Sequence, residues 1–282
     1  MERVMNAVSN YCNWELRQLP KSYVNAYEAK QFKFQPLKLV EEDLFQKCGV
    51  CTPKARSGHR MVCTEAAFYS FGGYNPDIPA TDLDMDGDPY WKETDPLFRE
   101  LWEFRFSTRS WRKVPCSEFS PTALASHSAA LCGPQSLLAY GGTGMPFGYN
   151  SSNKLYHCNL RTGEWKEVET RGEPPTPQYG QAVVIKSPYM YVIGGTTGFD
   201  YSLDVHRLNF SDLKWETLCY DQALGARYRH EVALCEDDIF VFGGGTNESE
   251  FPLETLPVFN VQTHKWRLVP TTKAPHQFPR NP

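Results

Sequence analysis

Four segments of the chain share one profile of apolar and polar positions. A short apolar run ends in two glycines: AFYSFGG reaches Gly72 and Gly73, LLAYGG reaches Gly141 and Gly142, MYVIGG reaches Gly194 and Gly195, and IFVFGG reaches Gly243 and Gly244. A polar loop follows each pair, then an amphipathic run, then a tryptophan: Trp111, Trp165, Trp215 and Trp266. The tryptophans stand 54, 50 and 51 positions apart, each preceded by turn-forming residues (STRS, RTGE, SDLK, QTHK). Short runs of this kind between turn signals predict strands. Their recurrence in phase predicts one supersecondary unit copied along the chain.

A four-stranded unit has two faces to bury and therefore needs a neighbour on each side. A period near 50 with paired glycines and a late tryptophan is the pattern of Kelch repeats. The predicted fold is all-β, a Kelch-type β-propeller with blades starting near residues 56, 124, 178 and 227. The glycine pairs are expected where blades crowd the central channel, since Gly accepts positive φ without a Cβ clash. Each Trp is expected in the wider outer gap, burying about 150–250 Å². Four blades are recognisable of an expected six, which reads as an incomplete or open ring, truncated after blade four, whose exposed flank is an aggregation liability. Residues 1–46 read as an N-terminal segment in which Gln31 to Val40 is a strand able to complete a blade; Trp14 and Phe32 give that segment something to dock with. Residues 47–282 read as the partial propeller.

Composition supports the all-β reading: 14% of the residues are aromatic, and 20 glycines and 21 prolines supply turns. A net charge of −4 offers no concentrated basic face, so nucleic acid is not an expected partner. No apolar run is long enough to span a bilayer, and the first residues lack the apolar core of a signal peptide, so no membrane is expected and the expected location is cytoplasmic, nuclear or both. The nine cysteines are read as reduced thiols, with Cys63, Cys132, Cys158, Cys219 and Cys235 serving as small apolar residues in strands.

Beyond the general repeat, the phrases ARSGHR, FGGYNPD, PLFRELW, YGGTGMPFG, YGQA, GGTTG, RYRHE and GGGT fall in loop and channel positions. Together, from about residue 53 to 270, they resemble the Kelch domain-containing protein 10 family. The resemblance implies a substrate receptor of a cullin-RING ubiquitin ligase, joined through elongins B and C, that binds protein C-termini ending in Gly or other small residues. It also implies a link to stress-kinase signalling through phosphatase inhibition. The later blades and the helical box that engages the elongins do not follow blade four, so the elongins and the cullin-RING scaffold are expected partners of the full-length family member, with the docking box absent here.

Aligning the innermost strands on their glycine pairs brings four tetrapeptides into register: Arg56-Ser57-Gly58-His59, Leu124-Ala125-Ser126-His127, Gln178-Tyr179-Gly180-Gln181 and Arg227-Tyr228-Arg229-His230. Loops entering the innermost strands form the channel mouth, where binding residues concentrate. The candidate peptide-binding residues are Arg56, Ser57, Ser126, Tyr179, Gln181, Arg227, Tyr228 and Arg229. Guanidinium groups grip carboxylates bidentately, so the expected guest is a chain-terminal carboxylate. The alternative for each arginine is pairing with a nearby acid such as Glu100 or Glu231.

Other constellations are weaker. The histidines at 59, 127 and 230 recur at one repeat position, but equivalent positions on a ring stand too far apart for one ion, so backbone bonding is expected. Asp82, Asp84, Asp86 and Glu93 follow the calcium-loop pattern without the flanking helices that motif requires. Cys48 and Cys51 make a single Cys-x-x-Cys with His59 and Cys63 beyond it, a weak zinc signal. No nucleophile elbow, phosphate loop or acid pair is present, so no enzyme activity and no cofactor are expected. The other function class is a scaffold or signalling adaptor that binds a phosphatase, a kinase-pathway component or a cytoskeletal partner by the propeller's side.

Overall fold

The computed structural model describes residues 52–77, 96–117, 121–122, 124–220 and 224–271. The strand expected over residues 31–40, the boundary near 46, Cys48, Cys51 and the acidic run from Asp82 to Glu93 lie outside these residues. Sixteen described strands make four sheets, each a four-stranded antiparallel meander. Blade one is β1 (Arg60–Cys63), β2 (Ala67–Phe71), β3 (Leu101–Arg105) and β4 (Ser110–Val114). Blade two is β5 (Ser128–Leu131), β6 (Ser136–Tyr140), β7 (Leu155–Asn159) and β8 (Glu164–Val168). Blade three is β9 (Ala182–Lys186), β10 (Tyr189–Thr196), β11 (Tyr201–Asn209) and β12 (Lys214–Cys219). Blade four is β13 (Glu231–Cys235), β14 (Asp238–Phe242), β15 (Thr255–Asn260) and β16 (Lys265–Pro270).

Three apolar cores lie between blades, one at each junction. Phe71 and Leu101 of blade one meet Leu137, Ala139 and Tyr156 of blade two. Leu138 and Tyr140 meet Met190, Val192 and Leu208 of blade three. Tyr191, Ile193 and Val205 meet Ile239, Val241 and Phe259 of blade four. Each repeat Trp sits on the outermost strand, and those of blades two and three pack onto the preceding blade. Trp165 lies 4.4 Å from the Phe71 ring and Trp215 lies 5.3 Å from Tyr140. Both are buried, at 2% and 3% exposure. Trp111 has no described blade in front of it and packs on Phe68 and Phe104 of its own sheet.

The glycine pairs are the seams of these junctions. All eight pair members have positive φ, from 57° to 117°. The second Gly donates its amide to the next blade: Gly73 to Leu124 O at 2.8 Å, Gly142 to Gln178 O at 2.9 Å and Gly195 to Arg227 O at 2.9 Å. A Cβ on the first Gly would strike the next blade, 2.7 Å from Leu124 O at Gly72, 2.3 Å from Gln181 Nε2 at Gly141 and 2.7 Å from His230 Cε1 at Gly194. At Gly243 the nearest such atom is Leu253 Cδ2 at 4.0 Å, within the same blade. Among the described residues the arc is therefore open behind blade four.

The described cysteines form no disulfide. Cys132 and Cys158 are core residues, and burial pushes the Cys158 thiol far above its ordinary value. Cys63 and Cys235, expected as apolar strand residues, are exposed instead. Both end an innermost strand on an open flank of the arc, where no described blade covers them.

Candidate functional site

The four tetrapeptides converge at one end of the innermost strands. Their third residues, Gly58, Ser126, Gly180 and Arg229, all adopt the left-handed conformation, with φ of 64°, 52°, 66° and 55°. That turn aims each amide at the carbonyl of the blade before. Ser126 N–H donates to Gly58 O, Gly180 N–H to Ser126 O and Arg229 N–H to Gly180 O, each at 2.8 Å. A ladder of backbone bonds thus runs around the channel and fixes the mouth without side chains. Glycine accepts this conformation freely, whereas a non-glycine residue there is strained.

Two of the fourth residues, Gln181 and His230, bind their blade to the one before it. Gln181 Nε2 donates to Tyr140 O at 2.9 Å, and His230 Nε2 donates to Ile193 O at 3.0 Å, both acceptors being the last residue before a glycine pair. His127 Nδ1 donates to Leu124 O at 3.0 Å. His127 and His230 are buried, at 2% and 0% exposure, and burial holds their pKa values down to about 4 and about 3, so both rings are neutral near pH 7. Gln181 is fully buried. It is a seam residue and does not reach the mouth as a guest-binding group.

Arg56 and Arg227, expected to grip a guest, lie inside their own blades. Arg227 is 3% exposed. Its guanidinium donates to Leu224 O at 2.8 Å, Gly225 O at 2.9 Å and Gly243 O at 3.0 Å, and stacks 3.8 Å above the Phe251 ring. Burial lowers its pKa to about 10, which leaves it charged. Arg56 repeats the arrangement, donating to Lys54 O at 3.1 Å and Gly72 O at 3.2 Å, lying 4.1 Å above Phe98 and pairing with Glu100 at 3.5 Å. Each of these arginines clamps the first glycine of its own pair. The fork that suits a carboxylate is filled by backbone carbonyls in Arg227, and in Arg56 it is shared between carbonyls and Glu100, the acid expected as its alternative partner.

What remains at the mouth is a cavity of about 210 Å³ lined by Ser57, Gly58, His59, Arg60, Ser126, Gly180, Arg229 and Glu231. Three sequence candidates, Ser57, Ser126 and Arg229, are on this wall. Tyr179 and Tyr228 stand beside it in a string of aromatic rings on the same face. Tyr74 packs on Phe147 at 4.9 Å, Phe147 on Tyr179 at 6.4 Å, Tyr179 on Tyr228 at 6.3 Å and Tyr228 on Tyr201 at 5.4 Å. Arg229 is exposed and lies 5.1 Å over the Tyr228 ring.

Arg60 is the functional candidate that the tetrapeptide alignment leaves out. It occupies the fifth repeat position, where the other blades carry Ser128, Ala182 and Glu231. Its Nε donates to His127 O at 2.8 Å, and its terminal nitrogen pairs with the Glu231 carboxylate of blade four. Comparing the fifth positions would have exposed it: the only two charged residues there have opposite sign. Histidines 59, 127 and 230 are not drawn around one point, and among the described residues no group of three His, Cys, Asp or Glu side chains could hold a metal ion.

Four meander blades stacked around an axis, with a loop-built mouth at one end, define a protein-binding β-propeller. Over residues 58–281 the sequence matches the family model described as the KLHDC2/KLHL20/DRC7 Kelch-repeats domain, and the chain belongs to the Kelch-repeat propeller family. Within that family it is 42% identical over 236 residues to Kelch domain-containing protein 10 of Xenopus laevis, covering 82% of this chain and 55% of that protein. The Homo sapiens Kelch domain-containing protein 10 is 39% identical over 229 residues, covering 80% of this chain and 50% of that protein. The Kelch domain-containing protein 10 homolog of Drosophila melanogaster is 37% identical over 257 residues, 86% of this chain and 40% of that protein. The chain spans about half the length of the curated relatives it matches.

Proposed function

We propose that this propeller recognises protein C-termini, gripping the terminal carboxylate at the channel mouth as the substrate-recognition part of a cullin-RING ubiquitin ligase joined through elongins. It acts there without chemistry of its own, in the cytoplasm or nucleus. Arg229 is the observation that carries the reading. It is an exposed guanidinium at the cavity wall, held in a left-handed backbone conformation where blades one and three carry glycine. Backbone strain of this kind, of order 1 kcal/mol, persists at sites where the side chain is used. The cavity adjoins a second of about 350 Å³ that shares His59, Arg60 and Glu231 with it, which leaves room for the residues of a bound tail. Serine hydroxyls at 57 and 126 and the Tyr179–Tyr228 shelf flank it.

The test compares a Gly-ending peptide as free acid and as C-terminal amide by fluorescence polarisation, on wild type and on Arg229→Gly. The free acid binds wild type at least about tenfold more tightly than the amide, as loss of a charge-assisted bond worth about 1.5–3 kcal/mol requires. Arg229→Gly loses about tenfold or more in affinity for the free acid and narrows the gap between acid and amide, while its stability is kept or raised by about 1 kcal/mol because glycine relieves the left-handed strain. Equal affinity for acid and amide removes the proposal. A second reading, an adaptor surface for a signalling or cytoskeletal partner, is favoured by Tyr149 and Phe199. These are 56% and 69% exposed, meet at 5.7 Å, and are held in place by contact between Gly148 and Gly198 of neighbouring loops. A partner bound through that pair tolerates amidation and is lost on Phe199→Ala.

A further inference from the structure

The ion pair between Arg60 and Glu231 spans the mouth from blade one to blade four, the two blades farthest apart in the chain. Arg60 is anchored through Nε on the His127 carbonyl, so its terminal nitrogens are aimed into the cavity. They hold there a carboxylate supplied by the protein itself. The Arg60 side chain is 22% exposed and that of Glu231 is 68% exposed. Glu231 therefore reaches into the mouth from solvent and gives up little desolvation to leave it. Solvated pairs of this kind are weak, about 0–1 kcal/mol. Arg229 lines the same cavity two residues before Glu231. A guest carboxylate that engages both guanidinium groups would outcompete a side chain that engages one.

We propose that Arg60 is the second carboxylate-binding residue of the mouth and that Glu231 determines its specificity, occupying Arg60 until a chain terminus displaces it. This rests on the C-terminal reading above. Once displaced, the Glu231 carboxylate stays beside the bound tail. Tails with Asp or Glu just before the terminal residue then meet a like charge, and tails with neutral or basic residues do not. The ligand class is a chain-terminal carboxylate on a small residue, preceded by a non-acidic one.

Fluorescence polarisation with three peptides tests this on the full chain: a Gly-ending free acid with a neutral penultimate residue, its amide, and a free acid with Asp in the penultimate position. Glu231→Gln binds the neutral acid about threefold to fivefold more tightly than wild type, and the gain is larger for the Asp-containing peptide. Adding Arg60→Gln to Glu231→Gln abolishes the gain. If amidation matters in wild type yet Glu231→Gln leaves the neutral acid within twofold and the preference against Asp intact, the Glu231 assignment falls and the C-terminal reading stands. If Glu231→Gln gains affinity and Arg60→Gln does not remove it, Arg60 is not the second guanidinium. If amidation changes nothing in either protein, both readings fall together.

Discussion

Replacing His230 with glutamine isolates what a neutral buried histidine does to stability. His230 is fully buried and donates to Ile193 O, and burial holds its pKa at about 3. In the unfolded chain the same ring titrates near about 6.5. As pH falls below that value the unfolded state takes up a proton that the folded state refuses, so stability declines from about pH 6.5 downward toward the folded pKa. Between pH 7 and pH 5 the loss is about 2 kcal/mol for this one residue, from roughly 1.4 kcal/mol per pH unit over about 1.5 units. Glutamine at 230 keeps the seam bond, because Gln181 already makes it at the equivalent position of blade three. Urea unfolding at pH 7 and pH 5 is the assay. Wild type should lose about 2 kcal/mol more than His230→Gln over that interval, the carboxylates common to both cancelling in the difference. Parallel declines, agreeing within about 0.5 kcal/mol, would refute the assignment of His230 as a neutral seam residue.

Two further outcomes follow from the packing. Trp165→Ala removes a buried ring between blades one and two and should cost about 3–5 kcal/mol, whereas Trp111→Ala, half-buried on the front flank, should cost less than half as much; equal losses in thermal unfolding would contradict the blade order. Arg227→Ala strips the donor from three carbonyls in a buried site and should cost about 2–4 kcal/mol, with Arg227→Lys recovering under half of it because lysine lacks the fork. The affinity of the folded fraction for a Gly-ending peptide should not change, and a tenfold loss at equal folded fraction would return Arg227 to the binding wall.

The repeat makes most of the architecture legible in the sequence. The glycine pairs and tryptophans recur in the same order in each unit, and they mark contacts that the junctions need: Gly141 beneath Gln181, Trp165 against Phe71. The mouth was legible in part, since alignment on the pairs brings Ser57, Ser126, Tyr179, Tyr228 and Arg229 to one end. It failed for Arg56 and Arg227 because a sequence does not show which way a guanidinium turns. A finer signal was present. Both arginines precede the first glycine of their pair by sixteen positions and are followed by a phenylalanine that stacks on them, Phe98 or Phe251. A side chain that finds a glycine carbonyl and a phenylalanine ring in its own blade serves that blade. Arg229 has no such offset partner and sits where its neighbours use glycine. The meeting of Arg60 with Glu231 across 171 residues depends on how far the arc curves, which no local pattern encodes.

The location of the guest is the most direct test of the whole account. Titrating isotope-labelled protein with a Gly-ending free-acid peptide and following backbone amide resonances reports where it docks. The predicted result is that Ser126, Gly180 and Arg229, the amides of the channel ladder, shift together with Ser57 and Tyr228, while Lys186 and Cys235 at the opposite ends of their strands stay still. Shifts confined to that opposite end, or to the open flanks carrying Trp111 and Phe242, would contradict a carboxylate-binding mouth.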